Sequence, residues 1–279
     1  MQSDPLVKSE TPLVNDASEP GTAPFGYLQV PENEKVDWVR RHFNTVAEKY
    51  DFMNTLLSFG IHYVWKEIAV KMMALREGDR VLDVCGGTAD LSLYAARDVG
   101  ASGLITLCDI NWKMMEIGRP KVGSSPYAQR ITYIQGDAEK LPLADSTFDA
   151  AMVGFGIRNL THMESGFEEM YRVLKPQGKL MCLEFSQPIT PWFRYLYDFY
   201  SFYLMPVIGK VLVGSRRAYT YLPESIRLFP EPDELKSILE NIGFSQVTYR
   251  RFTNGIAVVH LGMKRSERMN ENRHEAELG

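Results

Sequence analysis

Apolar positions along this chain recur with two different periods. Short runs rich in β-branched residues occupy 81–84, 104–110 (LITLCDI), 131–135, 148–155 and 179–185. Runs of this kind read as buried strands of a parallel sheet. Between them the apolar positions return every three or four residues, as in a helix with one buried face. Val36, Val39, Phe43, Val46, Ala47 and Tyr50 share such a face. Similar patterns predict helices over 61–74, 112–119, 163–174 and 232–241. The alternation predicts an α/β fold, a doubly wound parallel sheet. A turn is expected at Lys175-Pro176-Gln177-Gly178. Two further strands, 246–252 and 256–263, are separated only by Thr253-Asn254-Gly255. Asn-Gly there predicts a hairpin, which makes the last strand antiparallel.

Three stretches depart from the pattern. Residues 1–30 are polar, carry Pro5, Pro12, Pro20 and Pro24, and show no period, which predicts a disordered lead. Residues 187–230 interrupt the alternation, and eight of the twelve residues from Trp192 to Tyr203 are aromatic. Residues 265–279 form a charged tail. The expected organisation is one domain over 31–264, with 187–230 as an aromatic helical insert. Composition agrees: 279 residues with 45% hydrophobic content can bury one sizeable core. A net charge of −4 offers no general field for nucleic acid. Cys85, Cys108 and Cys182 lie far apart in apolar runs, as buried free thiols do. The five histidines lack ligand spacing, so no metal is expected. There is no basic, then apolar, secretory leader and no run of about 18 apolar residues, so a cytoplasmic location is expected.

The chemistry begins at Arg80–Asp90, RVLDVCGGTAD. It reads as strand, glycine turn and helix start. Glycine lets a ligand approach the backbone, and the helix N-terminus favours anions. Asp109 ends the next strand, 22 positions after Gly87, which is close to the spacing of a carboxylate that meets a ribose hydroxyl. The turn lacks G-x-G-x-x-G and there is no G-x-x-x-x-G-K-[ST], which argues against a pyrophosphate ligand. A nucleoside without pyrophosphate fits better, and S-adenosylmethionine is the leading candidate. Asp137 and Ala138, after the third strand, can accept from an exocyclic amine and donate to a ring nitrogen.

Several stretches then resemble the C-methyltransferases of ubiquinone and menaquinone biosynthesis. They are FNTVAEKYDFMN (43–54), RVLDVCGGTADLS (80–92), Asp109-Ile110-Asn111, GDAEKLPLADSTFD (136–149), FGIRN (155–159), YRVLKPQGKL (171–180), LEFSQP (183–188) and YLPESIRLFP (221–230). They lie in family order over roughly 40–264. The resemblance implies a Rossmann-like class I fold of seven strands and S-adenosylmethionine as methyl donor. Gly86 of the glycine turn, Thr88, Asp109, Asp137 and Ala138 are the expected donor-binding residues. Gly154 departs from the small polar residue that often precedes FG-x-RN. The implied acceptor is a polyprenylated quinol, with demethylmenaquinol preferred over the ubiquinone-pathway benzoquinol. A non-catalytic accessory subunit is the rival reading.

Methylating a quinol carbon requires loss of a hydroxyl proton, so that phenolate density reaches the ring carbon. Arg158 is the first catalytic candidate, as a fixed cation that stabilises the phenolate oxygen and polarises a water. The alternative is that it pairs with a carboxylate and pins the loop. Tyr50 is the second, closing the site from the N-terminal helix. Asn159 orients the loop; Asp83 reaches the turn or stays structural; Glu184 is a weak base candidate; His162 belongs at the surface or in a cap. The aromatic insert lines an isoprenoid channel, rests on a membrane, or packs as a lid. Its five basic and two acidic residues over 191–230 favour an anionic leaflet, so peripheral membrane contact is a candidate. The resemblance also implies a homodimer or a quinone-synthesis complex.

Overall fold

The structure is a computed structural model that describes residues 21–266. Its frame is a seven-stranded sheet in the order β5-β4-β3-β6-β7-β9-β8. The strands are β3 (Arg80–Val84), β4 (Leu104–Asp109), β5 (Ile131–Gln135), β6 (Phe148–Gly154), β7 (Leu174–Phe185), β8 (Phe244–Phe252) and β9 (Ala257–Lys264). Neighbours from β5 to β7 are parallel, and β9 runs antiparallel to both β7 and β8. The expected doubly wound sheet with a reversed last strand is therefore present. The hairpin turn at Thr253–Gly255 works because Asn254 and Gly255 both take positive φ.

Alternate residues of each strand face two cores. Val81, Ile105, Leu107, Met152 and Met181 pack under α3 (Ile61–Met72), α4 (Asp90–Asp98) and α5 (Trp112–Gly123). Leu82, Val84, Val153 and Cys182 pack on the opposite face under α6 (Met163–Val173) and α10 (Pro232–Ile242). Phe148, Phe167 and Phe244 are fully buried on that second face, each contributing about 1.5–3 kcal/mol of burial. The chain winds from β3 outward to β5, then returns to β6 on the other side of β3. The crevice outside the carboxyl ends of β3 and β6 is therefore the switch point, where such sheets bind ligands.

A cap covers that end of the sheet. It comprises α1 (Lys35–Val46), α2 (Tyr50–Leu57), α7 (Pro191–Phe199), α8 (Met205–Val213) and α9 (Arg216–Leu228). A π-helical turn at Tyr200–Leu204 joins α7 to α8. Lys35 fastens α1 to the loop after FGIRN by donating to the Leu160 carbonyl at 2.6 Å.

Three expectations are corrected. The lead expected over 1–30 lies outside the described residues up to position 20, but Thr22–Phe25 (β1) and Leu28–Pro31 (β2) form a two-stranded hairpin. It is held from outside itself: Phe25 stacks on Tyr221 at 4.3 Å, and the Tyr27 N–H donates to Glu224. Helix α5 continues past 119 to Gly123 with Pro120 inside it. The turn at 175–178 is a bulged start of β7, with Gln177 at φ +63° and a register shift against β6. The tail beyond Ser266 lies outside the described residues.

Candidate active site

Two adjoining spaces lie between the sheet and its cap. The first is a cleft at the switch point, lined by Cys85, Gly87, Asp109, Ile110, Gly136, Asp137 and Ala138 from the strand tips and by Met114 from the start of α5. Val36, Arg40, Phe43 and Tyr50 close it from the cap. Asp109 is its polar anchor. One carboxylate oxygen accepts from the Gly87 N–H at 2.9 Å, and the other from the Asn111 N–H at 2.7 Å. Each oxygen keeps a second lone pair for a hydroxyl. Burial raises the Asp109 carboxyl to about 6, against the two N–H groups that favour its charge. Asp137 accepts from the Glu139 N–H, and Ala138 is buried beside it. A carboxylate at one strand tip and an apolar slot with a backbone N–H at the next suit the ribose and adenine of S-adenosylmethionine. The Cys85 and Cys108 thiols facing the cleft are raised by burial, Cys108 to about 12, so neither is a thiolate.

Of the five expected donor-binding residues, Asp109, Asp137 and Ala138 line this cleft, and Gly86 and Thr88 do not. Gly86 lies beneath the turn, where a Cβ would come within 2.5 Å of Leu107 and 3.1 Å of the Asp83 carboxylate. Thr88 turns its hydroxyl away, donating to Asp51 at 2.6 Å. The turn meets the cleft through Cys85 and Gly87 instead. Helix α5 presses on the turn through Gly118, where a Cβ would be 2.7 Å from the Thr88 carbonyl oxygen. Gly118→Ala is expected to weaken donor binding and lower stability by about 1–3 kcal/mol, outweighing the roughly 1 kcal/mol gained from helix propensity. Calorimetry and chemical denaturation measure the two effects.

The Thr88 contact belongs to an ionic network that sequence reasoning missed. Asp51 of α2 also accepts from Lys121 of α5 at 2.9 Å. Lys121 reaches Asp90 at the start of α4, and Asp90 pairs with Lys66 of α3 at 2.7 Å. Four helices are thereby tied around the glycine turn. Burial works against the Asp90 charge, but Lys66 and Lys121 overcome it and hold the carboxyl at about 2. Lys66 was detectable: it lies on the buried face of α3 between Trp65 and Ala69, where the apolar pattern leaves no place for a cation.

Asp83 stays structural. It is fully buried, with one oxygen accepting from the Ser92 hydroxyl at 2.6 Å and the other without a hydrogen-bond partner among the described residues. Burial raises it from 3.8 to about 7. The folded state thus holds a proton that the unfolded chain has released, and this contribution to stability is lost as pH rises through 7. Asp83→Asn removes the buried charge. Its gain in stability is expected to be about 2–3 kcal/mol larger near pH 8 than near pH 5, read by denaturation at both.

The second space is an apolar cavity of about 530 Å³. Its walls include Val46, Leu57, Ile61, Trp65, Phe185, Phe193, Tyr197, Tyr200, Met205 and Tyr219. Burial, with Arg158 and Arg217 nearby, holds the His42 imidazole of this wall at about 3, so it is neutral. Phe43, Tyr50 and Phe155 line both spaces and so form the partition between them. Phe155 is placed there by a left-handed backbone, φ +58°, directly after β6.

Arg158 and Tyr50 both line this cavity. Arg158 is almost wholly buried, with 6% of its side chain exposed. One terminal nitrogen donates to Glu184 at 2.7 Å and to the Phe155 carbonyl at 2.6 Å, and Nε donates to Ser225 at 3.4 Å. No hydrogen bond from its other terminal nitrogen occurs among the described residues. Burial pushes the Glu184 carboxyl up, while Arg158 and the Phe185 and Arg158 N–H groups pull it back. Glu184 is thus committed to holding Arg158. Asn159 orients the loop as expected, donating to Gly156 and accepting from Tyr221. His162 is the exposed residue before α6, paired with Glu32.

Known proteins share this fold. The [4+2]-cyclase SpnF superposes with a TM-score of 0.60 at 15% identity, covering 83% of this chain and 97% of its own. A S-adenosylmethionine-dependent methyltransferase from Thermotoga maritima superposes at 0.56 and 20% identity, over 81% and 99%. These likenesses establish the fold. Sequence is more specific. The ubiquinone/menaquinone biosynthesis C-methyltransferase of Haemophilus ducreyi is 45% identical over 250 residues, spanning 90% of this chain and 96% of its own. The protein of that name from Pseudomonas putida is 45% identical over 249 residues, 89% of this chain and 97% of its own. A model of the ubiE/COQ5 methyltransferase family matches residues 29–264, from the second strand of the small hairpin to the last residue of β9. Family and fold together imply S-adenosylmethionine as the methyl donor. With the strand-tip cleft, the partition and FGIRN all inside the matched segment, this chain belongs to the ubiE/COQ5 methyltransferase family.

Proposed function

We propose that this chain transfers a methyl group to a ring carbon of a polyprenylated quinol, with demethylmenaquinol as acceptor and menaquinol as product. One observation carries the reading: an apolar cavity adjoins the donor cleft across a partition of three aromatic rings, with two buried cations in its wall, Lys66 paired with Asp90 and Arg158 held by Glu184. A quinol ring at the partition has its isoprenoid tail in the cavity beyond. The aromatic walls favour the naphthoquinol, whose fused rings offer more face for stacking than a benzoquinol.

Bound S-adenosylmethionine supplies an electrophilic sulfonium methyl, so the remaining work falls to the chain. Asp109, Asp137 and Ala138 hold the donor's nucleoside. Tyr50, Phe43 and Phe155 fix the plane of the acceptor ring and exclude water, and alignment of the partners contributes several kcal/mol. Arg158 directs its uncommitted terminal nitrogen to the quinol hydroxyl. A fixed guanidinium there lowers the hydroxyl pKa and stabilises the phenolate whose density reaches the reacting carbon. Glu184 fixes the guanidinium and balances its charge, which makes it a positioning residue.

The test incubates the protein with labelled donor and two acceptor sets, demethylated naphthoquinols and benzoquinols, followed by mass analysis. Methylation of the naphthoquinols is expected to be faster. Preference for benzoquinols moves the protein to the ubiquinone pathway. No turnover with either, alongside normal donor binding, supports a non-catalytic accessory role.

A further inference from the structure

The helical run from Pro191 to Val213 is 23 residues long and apolar enough to cross a membrane by length and composition. Its packing shows that it does something else. Its inner face presents Phe193, Tyr197, Tyr200 and Met205 to the cavity. It also presses on α9 at Gly209, where a Cβ would lie 2.1 Å from the Tyr219 ring. A helix that walls a cavity on one side cannot be surrounded by lipid.

The outer face has no partner among the described residues. Trp192, Tyr195, Phe199, Tyr203, Val207 and Val211 are each between 51% and 76% exposed. They follow one another at steps of three, then four residues. Successive steps of four drift around an α-helix of 3.6 residues per turn. The π turn at Tyr200–Leu204 takes up extra residues midway and keeps the two halves in line. Two further residues tie this stripe to the cavity. Leu196 is 52% exposed and Phe59 is 87% exposed, and both line the cavity. The cavity mouth therefore opens at the edge of the apolar face.

Charge narrows the occupant. The chain carries −4 overall, yet 191–230 holds five basic and two acidic residues. Both acids are paired, Asp198 with Arg227 and Glu224 with Arg217. Arg194 and Lys210 remain exposed on α7 and α8. An aromatic and aliphatic stripe with flanking cations, on a chain that is otherwise acidic, matches an anionic lipid surface.

We propose that the outer face of α7 and α8 docks on an anionic lipid bilayer. The helices lie along the interface, buried by about 5–10 Å, and the cavity mouth at Leu196 and Phe59 opens into the acyl chains. This rests on the reading of the cavity as the quinol site. The isoprenoid tail then slides sideways from membrane to cavity and never crosses water.

The test uses the full chain and sedimentation with vesicles of phosphatidylcholine, alone or mixed with phosphatidylglycerol. The double variant Tyr195→Glu/Val211→Glu alters two exposed positions that line neither space. The parent is expected to bind the mixed vesicles far better than the neutral ones. The variant is expected to lose at least about tenfold in partitioning, because two charges must then enter the interface. Its melting temperature and its turnover of a short-tailed, water-soluble quinol are expected to stay unchanged, while turnover of a long-tailed quinol in vesicles falls. Equal partitioning of variant and parent overturns the proposal. So does a parent that binds no vesicles but is a dimer that the variant splits, since a second copy is then the occupant. If the parent methylates no quinol, the functional reading fails, and vesicle partitioning still decides the docking face.

Discussion

Arg158→Met is expected to lower turnover by about 10²–10³-fold while donor affinity stays nearly unchanged. The magnitude is that of removing one preorganised donor from a developing oxyanion. Donor affinity is expected to be spared because Arg158 lines the apolar cavity and not the strand-tip cleft. The single variant is not decisive, because it strands the buried Glu184. Removing one partner of a buried pair destabilises by about 3–5 kcal/mol, and a displaced loop would also slow turnover. Glu184→Gln and the double variant Arg158→Met/Glu184→Gln separate the effects. Glu184→Gln removes the counter-charge but leaves Arg158 bonded to the Phe155 carbonyl and Ser225, so much of the activity is expected to remain. The double variant holds no unpaired charge, and much of its stability is expected to return. If its turnover returns too, Arg158 only pins the loop. If turnover stays low in a stable protein, the cation acts on the substrate.

The sheet was legible because its central strands are buried on both faces. Apolar runs interrupted by a single polar residue, 81–84 at Asp83 and 104–108 at Thr106, leave little choice of structure, and the glycine turn marked the first strand tip. The carboxylate of Asp109, which spacing singled out, lies at the end of β4, in the cleft. The hairpin at 22–31 was not legible. Its strands are four residues each, too short to show a period, and contain Pro24 and Pro31. Its stability comes from Tyr221 and Glu224, nearly two hundred positions away. Thr88 shows a different limit. A motif gives a residue's place on the turn, but the direction of its hydroxyl depends on Asp51, which α2 brings in from the cap. The partition was half legible. Tyr50 was read as closing the site, but the role of Phe155 depends on a positive φ that no hydrophobic pattern encodes. Both readings of Arg158 also converge in one geometry, since it pairs with a carboxylate and still faces the cavity.

Asp109→Ala is expected to weaken binding of S-adenosylmethionine by at least about 100-fold. Two hydrogen bonds from ribose hydroxyls to a carboxylate contribute about 1.5–3 kcal/mol each, and both disappear. The variant also releases the Gly87 and Asn111 N–H groups, so the glycine turn keeps only the Gly86 N–H bond to the Cys108 carbonyl of β4 among the described hydrogen bonds, and the cleft is less preorganised. Stability moves in two directions. Burial raises the Asp109 carboxyl from 3.8 to about 6, so the folded state's advantage from holding that proton is lost as pH rises through 6. Alanine removes this penalty above pH 6 but leaves two buried-side N–H groups without their acceptor. The melting temperature is therefore expected to change little, whereas donor affinity collapses. Wild-type affinity carries a further signature. The free protein must present an ionised Asp109, so its donor affinity is expected to be flat well above pH 6 and to fall towards tenfold per unit below it. Asp109→Ala is expected to remove that inflection along with the affinity. Calorimetry across this range reads both. A wild-type profile without the inflection, or a variant that binds within about tenfold of the parent, would place the nucleoside's main anchor elsewhere in the cleft.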